Sequence, residues 1–298
     1  MSTQRRALDA PVATLMVLLC ALWGLQQVAI KLAAPSIGTV LQTGLRSLIA
    51  AVMVGALMLI RRTPFSLRDG TLWPGIGAGI LFAAEFLCVA IGLNFTSASR
   101  LVVFLYTAPI FTVLGLHWLV PGERLRLLQW IGILLAFTGI GLAFATGYNA
   151  TANSVSSTAL GDGLGVAAAM LWSATTLLIR GSALSEAAPS KTLLYQLGIS
   201  ALIVLPIAII TGELATIHMT AIAWGSLLFQ SVIVTFASYL AWFWILRRYL
   251  ASRVSVFSFL TPLFGVGFGI LLLHDVVAVR FAIGAALVLG GIVLVNMR

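Results

Sequence analysis

Trp23, Gln26 and Gln27 stand at i, i+3 and i+4, so on a helix an indole and two carboxamides share one face. Trp172, Thr175 and Thr176 repeat that spacing later in the chain. An amide at depth can bind a carboxylate or an amine, and it can equally tie two helices together. Thr235, Ser238, Tyr239 and Trp242 follow at i, i+3, i+4 and i+7, a wall of rings and hydroxyls suited to an apolar molecule with a polar end. Trp242 also fits a packing role near a membrane interface. Tyr106 and, at the equivalent place in a later segment, Ser258 and Phe259 lie close to Pro109 and Pro262. Each of these prolines removes a helical hydrogen bond, so a kink or gate is expected there. Glu85 and Arg46 are charges within apolar runs and therefore need a reason. They could form an ion pair between neighbouring helices, or Glu85 could carry a proton. His117, His218 and His274 have no metal-ligand spacing, and no phosphate-binding loop or cofactor fingerprint is present. Neither a metal nor a cofactor is expected.

The elements that must position these groups follow from composition. Of 298 residues, 61% are hydrophobic and 8% are charged. A soluble domain carries about 25% charged residues, so a water-soluble fold is excluded. Apolar runs broken by Pro, Gly and charge cover 11–33, 38–60, 71–94, 98–120, 126–146, 161–180, 191–211, 220–246, 253–273 and 280–297. Each suffices for roughly 30 Å of hydrocarbon, and each is about twice the length of a barrel strand, so the expected fold is all-α with ten transmembrane helices. The first run continues past any cleavage pattern and is expected to remain as a span.

The net charge of +9 is arranged by topology and not as a nucleic-acid stripe. With a cytoplasmic N-terminus, the inner side receives Arg5, Arg6, Arg61, Arg62, Arg68, Arg124, Arg126, Arg180, Lys191, Arg247, Arg248, Arg253 and Arg298. The outer side receives Lys31, Arg100 and Arg280, and Arg46 lies within the second span. Thirteen against three places both termini in the cytoplasm. At 1.5 Å per residue, Glu85 lies roughly 20 Å and Arg46 about 17 Å from the inner face, deep enough to meet.

An internal repeat organises the spans. Residues 99–113 and 252–266 share seven identities without a gap, including Ser99/Ser252, Arg100/Arg253 and Pro109/Pro262. Trp23 likewise aligns with Trp172, and Lys31 with Arg180. Five spans per copy force the second copy to enter the membrane inverted, with a mid-depth site between the halves. The expected divisions are 11–146, an external loop 147–160, and 161–298.

The stretch Ala90-Ile-Gly-Leu-Asn-Phe-Thr-Ser97-Ala98-Ser99, leading through Tyr106 to Pro109, resembles the EamA-type drug/metabolite transporters. So do Trp23-Gly24 with Lys31 and, in the second span, Arg46. The chain is most similar to the bacterial aromatic amino acid exporters. The resemblance implies a ten-helix exporter of the bacterial inner membrane, with two EamA repeats around a central cavity. The expected partners are the lipid bilayer and a small molecule, an aromatic or neutral amino acid or an amphipathic drug. A nucleotide-sugar carrier is the alternative within the superfamily, although Arg46 alone is a thin basic lining. An intramembrane enzyme or a channel fits less well. No nucleic acid and no obligatory protein partner are implied.

Overall fold

The computed structural model of the chain describes residues 10–119, 125–145, 152–248, 257 and 260–296. All regular structure among them is helical. Helix α1 spans Ala10–Ala33, α2 Thr39–Ile60, α3 Leu72–Phe95, α4 Ala98–Leu105, α5 Ala108–Leu119, α6 Leu127–Ala145, α7 Ala152–Arg180 and α8 Pro189–Ile210. Then follow α9 (Ala221–Leu228), a π-helical stretch (Phe229–Ser238), α10 (Tyr239–Arg248), α11 (Leu260–Leu273) and α12 (Val279–Asn296). Seven segments are long and apolar enough to cross a bilayer, and three shorter apolar helices accompany them. Leu59, Ile60, Leu202, Ile210 and Leu271 are each at least 70% exposed, which only a lipid solvent makes tolerable. Trp73, Trp118, Trp130 and Trp224 are exposed near helix ends, where an interfacial belt would hold them.

The described ends lie close to the predicted ones because Gly, Pro and charge mark them. Ser97 caps α4 by accepting from the Arg100 N–H, and Thr220 caps α9 by accepting from Ala223. Gly212, at φ +78°, turns the chain after α8. Two places differ from expectation. Helix α7 begins at Ala152, so much of the expected loop 147–160 is helical. The Ser, Asn and Thr residues there lower hydropathy without breaking the helix. The fourth span is broken and not merely kinked: Tyr106 and Thr107 separate α4 from α5, and Pro109 occupies the first turn of α5. The Thr107 hydroxyl donates to the Phe104 carbonyl at 2.6 Å, providing a partner where the helical ladder lapses. Pro262 is the third described residue of α11, and the two residues before Leu260 lie outside the described residues. Pro206, within α8, interrupts nothing.

Helices α1 and α11 pack together, as do α2 and α8, α3 and both α7 and α8, α7 and the α4–α5 pair, and α6 and α12. The last contact is formed by glycines. A Cβ on Gly132 would stand 2.7 Å from the Gly291 carbonyl oxygen, and one on Gly139 would stand 2.6 Å from that of Gly284. Only hydrogen at these positions permits the two backbones to approach so closely.

Polar contacts join the helix ends. At the C-terminal end of α1, Arg100 Nε is 3.1 Å from both Asp162 oxygens, and Arg100 Nη2 also donates to the Ala143 carbonyl. Asp162 is 1% exposed and accepts a further bond from the Thr96 hydroxyl. Lys31 donates to the Thr96 carbonyl, Ser99 donates to Asp275, and the Leu41 N–H donates to Glu213. At the opposite end, Lys191 donates to Asp69 at 2.6 Å and to the Ser66 carbonyl at 2.5 Å.

Candidate functional site

The middle of the bundle holds two aromatic pairs. Trp23, on α1, donates its indole N–H to Ser238 at 2.9 Å and meets Trp242 edge-on, with ring centroids 5.7 Å apart. The Ser238 hydroxyl in turn donates a hydrogen bond to the Val234 carbonyl. Tyr106, at the α4–α5 break, meets Trp172 on α7 edge-on at 5.3 Å. T-shaped contacts of this kind set the positive edge of one ring against the negative face of the other. Trp23, Trp172, Tyr239 and Trp242 remain partly accessible although they pack against the core. The sequence-predicted Trp23, Ser238 and Trp242 thus meet one another, as do Tyr106 and Trp172.

Several buried side-chain polar atoms have no hydrogen-bond partner among the described residues. They are Gln26 Nε2, Gln27 Oε1, Thr235 Oγ1, Thr261 Oγ1, Gln230 Oε1, and Nε and Nη1 of Arg46. Thr261, on α11, stands beside both Cys20 and Tyr106. Thr175 and Thr176 donate to the carbonyls four residues back, so their hydroxyls are engaged within α7. Ser258 and Phe259 lie outside the described residues.

The direct Glu85–Arg46 ion pair does not form. Arg46 is 1% exposed and lays its guanidinium over the Phe86 ring, with Cζ 4.0 Å from the centroid. Phe86 follows Glu85 on α3 and points about 100° away around the helix, which turns the arginine from the carboxylate. Glu85 is 5% exposed and makes no ion pair or hydrogen bond among the described residues. The two charges remain within electrostatic reach of each other and of Tyr239.

Sequence reasoning missed a second polar group. Gln42 donates to the Ile30 and Ile37 carbonyls, and Gln230 donates to Gln42 Oε1 and to Ser226, each at 2.8 Å. Ser226 in turn donates to the Ala29 carbonyl at 2.8 Å. The available signal was the amide on each of two spans, Gln42 and Gln230. These bonds tie α1, α2 and the π-helical stretch together. The π winding lies where the Ser231 and Ser238 hydroxyls engage carbonyls four residues back.

The EamA-like transporter family matches residues 11–145 and again residues 159–297. The chain belongs to the EamA-like transporter family. Among relatives, an uncharacterized transporter of Bacillus subtilis (strain 168), YoaV, is 25% identical over 91% of each chain. A probable amino-acid metabolite efflux pump of Salmonella typhimurium is 29% identical over 93% of this chain and 92% of its own. The Escherichia coli (strain K12) protein of the same description is 27% identical over 93% and 92%. A solved crystal structure superposes with a TM-score of 0.66 at 22% identity, covering 95% of this chain and 97% of the other, which establishes a shared fold. This EamA-like chain is accordingly a polytopic membrane transporter.

Proposed function

We propose that this transporter exports small amphipathic metabolites, aromatic or neutral amino acids foremost, by alternating access around a chamber between two inverted five-helix halves. The observations that carry this reading are the Trp23–Trp242 and Tyr106–Trp172 ring pairs within the bundle and the buried Arg46, whose Nε and Nη1 have no hydrogen-bond partner among the described residues. Rings provide apolar walls, and a buried unpaired donor needs a polar ligand. The amino-acid efflux descriptions of the two enterobacterial relatives support the same substrate class.

The division into halves at 11–146 and 161–298 draws support from the glycine contacts. Gly132 meets Gly291 and Gly139 meets Gly284, so the last helix of one half pairs with its counterpart through exchanged positions. The α1–α11 and α7–α4/α5 contacts exchange in the same manner. Pro109 and Pro262 are then equivalent bends from which the halves move. Charge asymmetry supports an inner-membrane location with both termini cytoplasmic.

Purified protein in liposomes, supplied with labelled amino acids and separately with a cationic dye, tests the substrate class. Amino-acid flux that saturates supports the reading, whereas dye flux alone favours a drug carrier served by Glu85. An imposed pH gradient reports on coupling. Glu85→Gln protein whose flux still follows the gradient would exclude Glu85 as the proton carrier.

A further inference from the structure

We propose that Arg46 and Glu85 form a divided headgroup site that reads a zwitterion: the guanidinium takes the α-carboxylate and the Glu85 carboxylate takes the α-ammonium of a free amino acid. This rests on the amino-acid reading above and deepens it, because an aromatic wall alone suits tryptophan and a drug equally.

Four observations converge. Arg46 is 1% exposed, and its Nε and Nη1 have no hydrogen-bond partner among the described residues. The Phe86 ring covers one face of the guanidinium, which leaves the in-plane N–H edge as the side on which a carboxylate can dock. Glu85, on the adjoining helix, makes no ion pair or hydrogen bond among the described residues, while each charge lies within the field of the other. Tyr239 lies within the electrostatic field of both charges, and Tyr106, which meets Trp172, lies within that of Glu85.

The two opposite charges stand on adjoining helices without pairing with each other, an arrangement that a dipolar head of matching polarity can bridge. Charge balance points the same way. A lone anion would satisfy Arg46 and leave Glu85 facing a second negative charge, and a lone cation would do the reverse. A zwitterion satisfies both and adds no net charge to the interior.

The test is counterflow of labelled L-phenylalanine in liposomes, with three unlabelled competitors that share the benzyl group. These are L-phenylalanine itself, phenethylamine, which lacks the carboxylate, and 3-phenylpropionate, which lacks the amine. On the wild-type protein each truncated competitor is expected to be about tenfold or more weaker, the size of one charge-assisted contact. In Arg46→Gln, L-phenylalanine should fall to the level of phenethylamine, which itself is unchanged. In Glu85→Gln it should fall to that of 3-phenylpropionate. Arg46→Lys should restore part of the discrimination. Equal competition by all three ligands on the wild type, which needs no variant to fold, overturns the proposal. So does an unchanged ranking in well-incorporated variants. Liposomes that move a cationic dye and no amino acid would instead overturn the amino-acid reading, and this inference with it.

Discussion

Gly139 and Gly284 face each other so closely that a Cβ on Gly139 would lie 2.6 Å from the Gly284 carbonyl oxygen, and one on Gly284 would lie 2.7 Å from that of Gly139. Backbone cannot rotate aside as a side chain can. Gly284→Ala is expected to destabilise the protein by about 1–3 kcal/mol, the usual range for overpacking. Gly55→Ala, in α2 with nothing within 4 Å, should be neutral or stabilise by up to about 1 kcal/mol. Thermal unfolding of the two detergent-solubilised variants compares them directly, and equal shifts would contradict the packing argument.

Removing either partner of Arg100 and Asp162 strands a charge, since Asp162 is almost wholly buried. Asp162→Asn or Arg100→Gln should each cost on the order of 3 kcal/mol. The double variant should lose clearly less than the sum, because the second substitution removes a group already stranded. An additive double variant, read by the same unfolding assay, would show that the pair does not act as a unit.

Asp69, in the link between α2 and α3, gives a pH signature. The hydrogen bond from Lys191, then that from Thr71, holds its carboxyl down from 3.8 to about 2. A depressed value favours the folded state above the unfolded pKa, so this contribution is complete above pH 3.8 and disappears as pH falls to about 2. The unfolding temperature of wild type minus that of Asp69→Asn should therefore shrink across this interval. Asp69 is 44% exposed, so the difference should also shrink with added salt. A difference independent of pH would refute the assignment.

Trp23→Phe keeps a ring against Trp242 and removes only the N–H donated to Ser238. One neutral hydrogen bond is worth about 1 kcal/mol, so flux of an aromatic substrate should fall roughly fivefold at equal incorporation. Trp23→Leu removes the edge-to-face contact as well and should fall further. Liposome flux indistinguishable from wild type in both variants would remove Trp23 from the site.

Much of the architecture could be read from punctuation in the sequence. Arg61-Arg62, Gly70 and Gly212 end or join helices where expected, because charge and a left-handed turn are local demands. What escaped depends on winding or on partners distant in sequence. The polar run before Gly161 looks like a loop although its residues are compatible with a helix. The break at Tyr106–Thr107 needs the Thr107 hydroxyl as well as Pro109. Arg46 could be matched to Glu85 by depth, but depth says nothing of rotation about the axis, and the next residue, Phe86, took the guanidinium. Trp23, Ser238 and Trp242 came from helical spacing on separate spans. Their meeting required the fold.

The stretch Phe229–Ser238 is wound with hydrogen bonds to the fifth residue, and so holds slack that an ordinary helix lacks. Rewinding it by one residue would swing everything beyond Ser238 by about 100° around the axis. Tyr239 and Trp242 lie just beyond it. The aromatic end of the eighth span therefore follows directly on this slack, whereas Gln230, near the start of the stretch, is tied to Gln42.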